Sequence, residues 1–207
     1  MQAHFFKMKF RKGEKIIGLF SLAYLTIFLI YFLISGNYEF LAYISVVCIV
    51  FALLAFTIRQ TNFDYLILWG LSIWGLLHML GGSVKISDGV LYTWKVIPIV
   101  VGEGGMYILK FDQIVHFFGF GVTALVAYHL LSLHWKYPYS RKLMYIFAVL
   151  ISSGFGALNE IIEFAAFLSL PETWIGDFYN IELDLIFNML GAITAMVFVY
   201  FREKRKE

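Results

Sequence analysis

Long apolar runs alternate with short polar segments along the whole chain. Six of these runs reach about 20 residues, the length that carries a helix through the hydrocarbon core of a bilayer. They cover residues 16–34, 40–58, 63–80, 112–133, 143–168 and 183–201. Unbroken apolar runs exclude a membrane β-barrel, whose strands alternate in polarity. The pattern predicts an all-α, polytopic membrane helix bundle of about six transmembrane helices that forms a single domain over 1–207.

Charge gives this bundle an orientation. Apolar residues make up 61% of the chain and charged residues 14%, far from the balance of a soluble domain. Thirteen of the 16 Lys and Arg residues lie before the first run, after the last, or in the second and fourth connections. With six spans, all thirteen fall on one side of the membrane. The positive-inside rule therefore predicts a multi-pass protein of the cell inner membrane with both termini in the cytoplasm.

The partners that the sequence predicts are lipids. The basic residues orient the chain and contact anionic lipid, and the sequence contains neither a basic groove nor a stacking surface for nucleic acid. The longest connection, 81–111, includes an apolar stretch broken by Lys95 and Pro98, with Tyr92 and Trp94 suited to the membrane interface. We expect an extracytoplasmic interfacial loop that covers the site as a lid. A surface loop with aromatic anchors is the alternative. A short acidic connection at 169–182 completes the same side.

Polar side chains inside the spans identify the candidate site. An ionised group in hydrocarbon costs several kcal/mol, so intramembrane acids are candidates for function. They occur three or four residues apart, which puts each pair on one helix face. The predicted topology brings all of them to the outer side of the membrane. The candidates are Asp112, His116, Glu160, Glu163, Asp184, Asn188 and, at the end of the third span, His78.

Four carboxyl groups at one depth cannot all be ionised in a low dielectric, so they must share protons, find cations or bind metal. Three outcomes stay open. The acids perform acid–base chemistry, they carry protons or cations in transport, or they hold a divalent metal. Imidazole and carboxylate ligands suit zinc, manganese or iron. The candidate metal ligands are His116, Glu160, Glu163 and Asp184.

Structural roles compete with these functional ones. Asp112 and Asp184 begin their predicted spans, where an acid favours the helix dipole and caps the helix. Asn188 suits a hydrogen bond between helices. Small residues such as Gly121 and Gly191 predict close helix packing rather than a nucleotide loop.

At the polar positions the chain resembles the YjdF-like family of uncharacterised bacterial inner-membrane proteins. The resemblance covers the third span and the second half of the chain. Its motifs are His78 before Gly81-Gly82, Phe111-Asp112-Gln-Ile-Val-His116-Phe117, Asn159-Glu160-Ile-Ile-Glu163-Phe164, and Asp184 before Gly191-Ala192. More distantly, Asp-x-x-x-His-Phe, Glu and Asp-x-x-x-Asn-x-x-Gly are similar to the VanZ-like family, some members of which are linked to glycopeptide resistance.

Two positions depart from these patterns. The VanZ-like pattern has Gln three residues after its glutamate, where this chain has Glu163. The YjdF-like pattern has a further Asp before the last span, where this chain has Asn180. The resemblance implies a fold and a site but no reaction.

We expect an outward-facing His/carboxylate site that acts on a lipid or lipid-linked envelope molecule. In one of the open outcomes this site depends on a divalent metal. The candidate catalytic residues are His116, Glu160, Glu163 and Asp184, and the candidate substrate contacts are Asp112, Asn188 and His78. Whether the chain is an enzyme is left open. A proton- or cation-coupled small transporter or flippase, and a non-catalytic membrane partner protein, are the alternatives. The sequence leaves the oligomeric state open.

Overall fold

Six long helices make up most of the molecule. The computed structural model describes residues 10–87, 89–101, 106–135, 140–169 and 178–205. Within these ranges each of the six helices is long and apolar enough to cross a membrane. The helices are α1 (Lys12–Ser35), α2 (Tyr38–Thr61), α3 (Tyr65–Ser83), α4 (Phe111–His134), α5 (Arg141–Ser169) and α6 (Phe178–Lys204). The prediction of an all-α, polytopic membrane helix bundle is confirmed.

Local side-chain chemistry sets several helix ends. Asn37 begins α2 by accepting a hydrogen bond from the Phe40 backbone N–H at 3.1 Å. Asp64 begins α3 in the same way. Gly36 ends α1 in the left-handed conformation, at φ 66°, where a glycine pays no steric cost. These caps keep the connections between α1, α2 and α3 to a few residues.

The connection between α3 and α4 contains strands, which the apolar pattern did not predict. Strands β1 (Lys85–Ile86) and β2 (Gly89–Val90) form one antiparallel pair. A 3-10 turn at Leu91–Thr93 then leads into a second antiparallel pair, β3 (Lys95–Val101) and β4 (Met106–Lys110). The β-branched Val and Ile residues of β3 explain the preference for a strand. Because β4 runs directly into α4, the second hairpin fixes where α4 begins.

Helices α4, α5 and α6 form a compact three-helix unit, in which α4 and α6 have the most extensive contact. Outside this unit, helix α3 packs on α4, and α1 packs on α3. We call the end of this unit where β4 joins α4 the hairpin end. Its opposite half is filled by an apolar cluster of Ala124, Ala127, Ala148, Ala192, Met196 and Val199.

The last helix begins earlier than the apolar run indicated. Helix α6 starts at Phe178 instead of residue 183, because Asn180 in its first turn forms a hydrogen bond with Asp112 of α4. The prediction that Asp184 caps this helix is therefore wrong, since Asp184 lies well inside it. Residues 102–105 of the interfacial connection and 170–177 of the acidic connection lie outside the described residues.

An ion pair joins the far end of α6 to the connection before α3. An Arg202 Nη2 donates to Asp64 Oδ2 at 3.0 Å, and the Leu66 backbone N–H donates to Asp64 Oδ1 at 3.2 Å. The Leu66 N–H, and after it Arg202, hold the pKa of Asp64 below its usual range. An acid with a lowered pKa stabilises the fold above its unfolded pKa and loses that contribution as the pH falls through the folded pKa.

We expect Asp64→Asn to flatten the acid side of the stability profile. As the pH is lowered from about 4, the ordinary Asp pKa, the Tm of the native protein in detergent should decrease. The Tm of the variant should decrease less over the same pH range. Asn still caps a helix, so the change removes the ion pair alone. The effect is within about 1 kcal/mol because the pair is exposed. Asp64→Asn should have a smaller effect in an Arg202→Gln background, where only the contribution of the Leu66 N–H is left; an equal effect in both backgrounds would contradict a role for the ion pair.

Candidate functional site

Polar side chains from three helices meet at the hairpin end of the α4–α6 unit. Most of them are buried, and each helix contributes at least two. We call this group the polar cluster. Its members are Asp112, Gln113 and His116 from α4, Glu160 and Glu163 from α5, and Asn180, Asp184 and Asn188 from α6.

The first part of the polar cluster is a network centred on Asn180. Its amide nitrogen donates to Asp112 Oδ2 at 3.0 Å and to Asp184 Oδ2 at 2.6 Å. Its oxygen accepts from Lys110 Nζ at 2.9 Å. Asp184 is fully buried, and its other oxygen accepts from Gln113 Nε2 at 2.7 Å. Each Asp184 oxygen thus has a hydrogen-bond donor, which compensates its removal from water.

The second part surrounds His116. Its Nδ1 lies 3.0 Å from Asn188 Oδ1 and 3.6 Å from Glu160 Oε1, and its Nε2 lies 3.6 Å from Asp112 Oδ1. Glu160 is 5% exposed, and neither of its oxygens has a hydrogen-bond partner among the described residues. A buried carboxylate without a donor is costly unless a proton or a cation neutralises it. Among the described members of the polar cluster, Glu160 is therefore the carboxyl group without hydrogen-bond donors, and the Asn188 amide nitrogen also lacks a partner.

Glu163 lies where the polar cluster reaches the surface of the unit. Its Oε1 accepts from Asn159 Nδ2 at 2.7 Å, one turn earlier on α5. The side chain is half-buried, and its neighbours Ile162 and Phe164 are 46% and 54% exposed. These apolar neighbours face the region that lipid fills around a membrane-spanning helix.

Glycines make room for the polar cluster. A Cβ on Gly156 would lie 2.7 Å from Asn188 Nδ2, so α5 leaves space there for the Asn188 side chain. A Cβ on Gly191 would collide with the backbone oxygen of Phe117, and one on Gly121 would lie 3.2 Å from the oxygen of Gly191. The predicted close packing at Gly121 and Gly191 is confirmed. Gly154 differs, because its Cβ position is open.

His78 lies in an aromatic environment. Its ring centroid is 5.3 Å from that of Tyr43 and 5.7 Å from that of Trp74, and its Nδ1 is hydrogen-bonded to the Tyr92 hydroxyl. Tyr92 therefore joins the connection to α3 rather than serving only as an interfacial anchor. Burial raises the pKa of the Tyr92 hydroxyl well above its usual range, which keeps it protonated. None of the hydrogen bonds described for His78 joins it to the polar cluster.

Two overlapping sets of side chains within the polar cluster offer nitrogen and oxygen atoms that lie close enough together to hold a metal ion. Each set offers ligand atoms that all lie within 4.8 Å of one another. One set is Asp112, His116 and Asp184, and the other is His116, Glu160 and Glu163. Imidazole and carboxylate donors of this kind suit divalent transition metals.

The fold brings together six of the seven residues that the sequence singled out and adds two more. Asp112, His116, Glu160, Glu163, Asp184 and Asn188 meet, whereas His78 belongs to the neighbouring aromatic group. Gln113 and Asn180 were not predicted as site residues. Gln113 is an amide inside an apolar run, which was a usable signal. Asn180 precedes the apolar run, so hydropathy gave no signal there, and the Asp of the YjdF-like pattern at this position was the usable one.

Between the polar cluster and the far end of the unit, the described helices carry few polar side chains; at the far end itself the hydroxyls of Tyr128 and Tyr145 donate to Glu203 at 2.5 and 2.7 Å. Thr123 Oγ1 donates to the Gly119 oxygen at 2.9 Å, and Thr194 Oγ1 donates to the Leu190 oxygen at 2.8 Å. Both hydroxyls are therefore engaged by their own helices. The small apolar side chains around Ala124 and Ala192 fill the space between them.

Comparison with known proteins gives one match. The family model described as "Predicted membrane protein (DUF2238)" matches residues 16–205. No curated protein and no solved structure matches the chain.

Proposed function

The chain belongs to this DUF2238 family of predicted membrane proteins, and we propose that its polar cluster acts on a lipid or lipid-linked molecule of the cell envelope. DUF2238 is the YjdF-like family, so that resemblance is confirmed. The more distant VanZ-like resemblance stays a prediction. The protein is a multi-pass membrane protein; the inner membrane and cytoplasmic termini are the location and orientation that we propose from its basic segments.

The observation that carries the proposal is the state of Glu160. This carboxyl group is buried beside His116 without a hydrogen-bond partner among the described residues. A fold that needed only structural hydrogen bonds would supply donors to it, as it does to Asp184. Charged groups kept in this condition are typical of reacting or ligand-binding sites.

The position of Glu163 supports a lipid as the substrate. The polar cluster reaches the surface beside exposed Ile162 and Phe164, on a face of α5 that contacts lipid. A molecule with a polar head and an apolar tail fits this place, because its head meets the carboxyl groups while its tail stays in the bilayer. His116 then serves as base or ligand and Glu160 and Glu163 as ligands or proton carriers.

The transporter alternative requires polar groups along the rest of the unit. The described part of α4, α5 and α6 supplies an apolar cluster there, and Thr123 and Thr194 bond to their own helices. This arrangement favours a site that opens on one side of the membrane. Flux into proteoliposomes that Glu163→Gln abolishes would reverse the preference.

The test compares the lipids of cells that produce the native protein, Glu160→Gln or Glu182→Gln. Mass spectrometry of extracted lipids and lipid-linked envelope molecules should show a species whose amount changes when cells produce the native protein. Production of Glu182→Gln should cause the same change. Glu182 is an exposed glutamate of α6, two positions from Asp184. The same Glu→Gln change there lies outside the polar cluster and so serves as the matched control. Glu160→Gln should abolish the change. If cells that produce Glu160→Gln show the same lipid change as cells that produce the native protein, the proposal is contradicted.

A further inference from the structure

We propose that the His116 part of the polar cluster is a binding site for one divalent transition metal ion: zinc, manganese or iron. The ligands are His116 Nδ1, the carboxylates of Glu160 and Glu163, and Asn188 Oδ1. The inference deepens the proposed function and rests on it, because the ion occupies the same site.

The first argument is the convergence of electron-pair donors on one point. The Glu160 side chain is 5% exposed, and both its oxygens lack hydrogen-bond donors among the described residues. Its Oε1 lies 3.6 Å from His116 Nδ1, which donates a hydrogen bond to Asn188 Oδ1 at 3.0 Å and gives up that proton when it binds the ion. A protonated imidazole would be the competing neutraliser. The 3.6 Å between Nδ1 and Oε1 is too long for a hydrogen bond but is an ion-pair distance, so the metal measurement below decides between the two neutralisers.

The second argument is spacing. Bonds of about 2.1 Å from a metal to nitrogen or oxygen place neighbouring ligands about 3.0 Å apart in an octahedron and about 3.4 Å apart in a tetrahedron. The observed separations from His116 Nδ1 are 3.0 Å to Asn188 and 3.6 Å to Glu160. Glu163 offers a third ligand within 4.8 Å of the His116 and Glu160 ligand atoms. Small side-chain rotations therefore complete the site without moving a helix.

The third argument is the support around His116. A histidine that binds a metal through one ring nitrogen usually presents the other to a carboxylate, which fixes the orientation of the ring. Asp112 occupies that place, 3.6 Å from His116 Nε2, and Asn180 holds Asp112 by a 3.0 Å hydrogen bond. The network around Asn180 thus orients the ligand set.

The same network excludes Asp184 from the ligands. Both Asp184 oxygens already accept short hydrogen bonds, from Gln113 and Asn180. We therefore assign Asp184 as a positioning residue and not as a ligand. This assignment allows an experiment to distinguish the two candidate ligand sets. The alternative set requires Asp184 and does not include Glu160 or Glu163.

The experiment measures metal per chain by elemental analysis. Protein purified in detergent is stripped with a chelator, loaded with Zn²⁺ or Mn²⁺ in separate samples, and freed of unbound ion by gel filtration. The variants are Glu160→Gln, Glu163→Gln and Asp184→Asn, with Glu182→Gln as the control. Thermal unfolding of each variant shows whether it is folded.

We expect about one ion per chain in the native protein and in Glu182→Gln. Glu160→Gln and Glu163→Gln should retain less than about a tenth of it. Asp184→Asn should bind roughly 10- to 100-fold more weakly, as is typical of a supporting residue, but fill at saturating metal. Metal kept by Glu160→Gln and lost from Asp184→Asn would overturn the ligand set, and absence of metal from every sample would overturn the site.

Cobalt loading of the native protein gives a measurement that does not depend on the folding of variants. Co²⁺ should stay with the native protein through gel filtration and be displaced by Zn²⁺, with strong visible absorption bands if the site is tetrahedral; a native protein that retains no Co²⁺ would overturn the proposal. The lipid comparison separates this inference from the proposed function. If Glu160→Gln abolishes the lipid change in a protein that binds no metal, the function stands without the ion. If metal binds as expected and the native protein changes no lipid, the site stands without that function.

Discussion

Gly191→Ala should lower the stability of the protein more than the addition of one methyl group suggests. The new Cβ would collide with the backbone oxygen of Phe117 on α4, and backbone cannot move aside as a flexible side chain can. Overpacking of this kind costs about 3 kcal/mol, or about 6–12 °C in Tm for a chain of this length. Separation of α4 and α6 would also part His116 from Asn188. We therefore expect metal binding and stability to fall together.

Gly154→Ala is the matched control for this change. Gly154 lies in α5, and nothing lies within 4 Å of its Cβ position. Ala is favoured over Gly in a helix by up to about 1 kcal/mol, so the Tm measured in detergent should stay the same or rise. Equal losses in the two variants would mean that the contact between Gly191 and Phe117 is not the cause.

Gln113→Leu should destabilise the protein by a similar amount for a different reason. Gln113 is fully buried, donates to Asp184 and Asn180, and accepts from the Lys110 backbone N–H at 2.8 Å. Leucine fills the volume but leaves Asp184 Oδ1 and the Lys110 backbone N–H without their partners. The loss is about 3 kcal/mol, again about 6–12 °C in Tm.

A double-mutant cycle checks the cause of that loss. In Gln113→Leu/Asp184→Leu both partners are apolar, so the double variant should be less destabilised than the sum of the single variants. Gln60→Leu changes an exposed glutamine at the end of α2 and should have little effect. Additive losses in the cycle would show that the hydrogen bond between Gln113 and Asp184 contributes little.

Hydropathy predicted the helices because a membrane-spanning helix must be apolar for its full length. Most of the polar cluster followed from spacing, since pairs such as Asp112 with His116 share a helix face. The start of α6 could not be predicted in this way. Its first turn contains Asn180, which is stabilised by partners on α4, and contacts between helices leave no trace in a hydropathy profile.

The connection between α3 and α4 shows a second limit. Its apolar residues indicated contact with lipid, and the same residues favour the strands that form there. His78 was expected to join the polar cluster because it shares its depth. The aromatic side chains of Tyr43, Trp74 and Tyr92 occupy its surroundings instead, and their positions depend on how α2 and α3 pack.

The contribution of α6 has a consequence for biogenesis. Asn180, Asp184 and Asn188 belong to α6, which the ribosome delivers to the membrane after α4 and α5. Until that helix inserts, Asp112 lacks its Asn180 donor and His116 lacks Asn188, while both already stand in the bilayer. Nascent chains that stall before α6 therefore carry exposed intramembrane charge, the kind of feature that membrane insertion machinery disfavours. Insertion of α6 thus supplies the hydrogen-bond partners that the polar side chains of α4 lack until then.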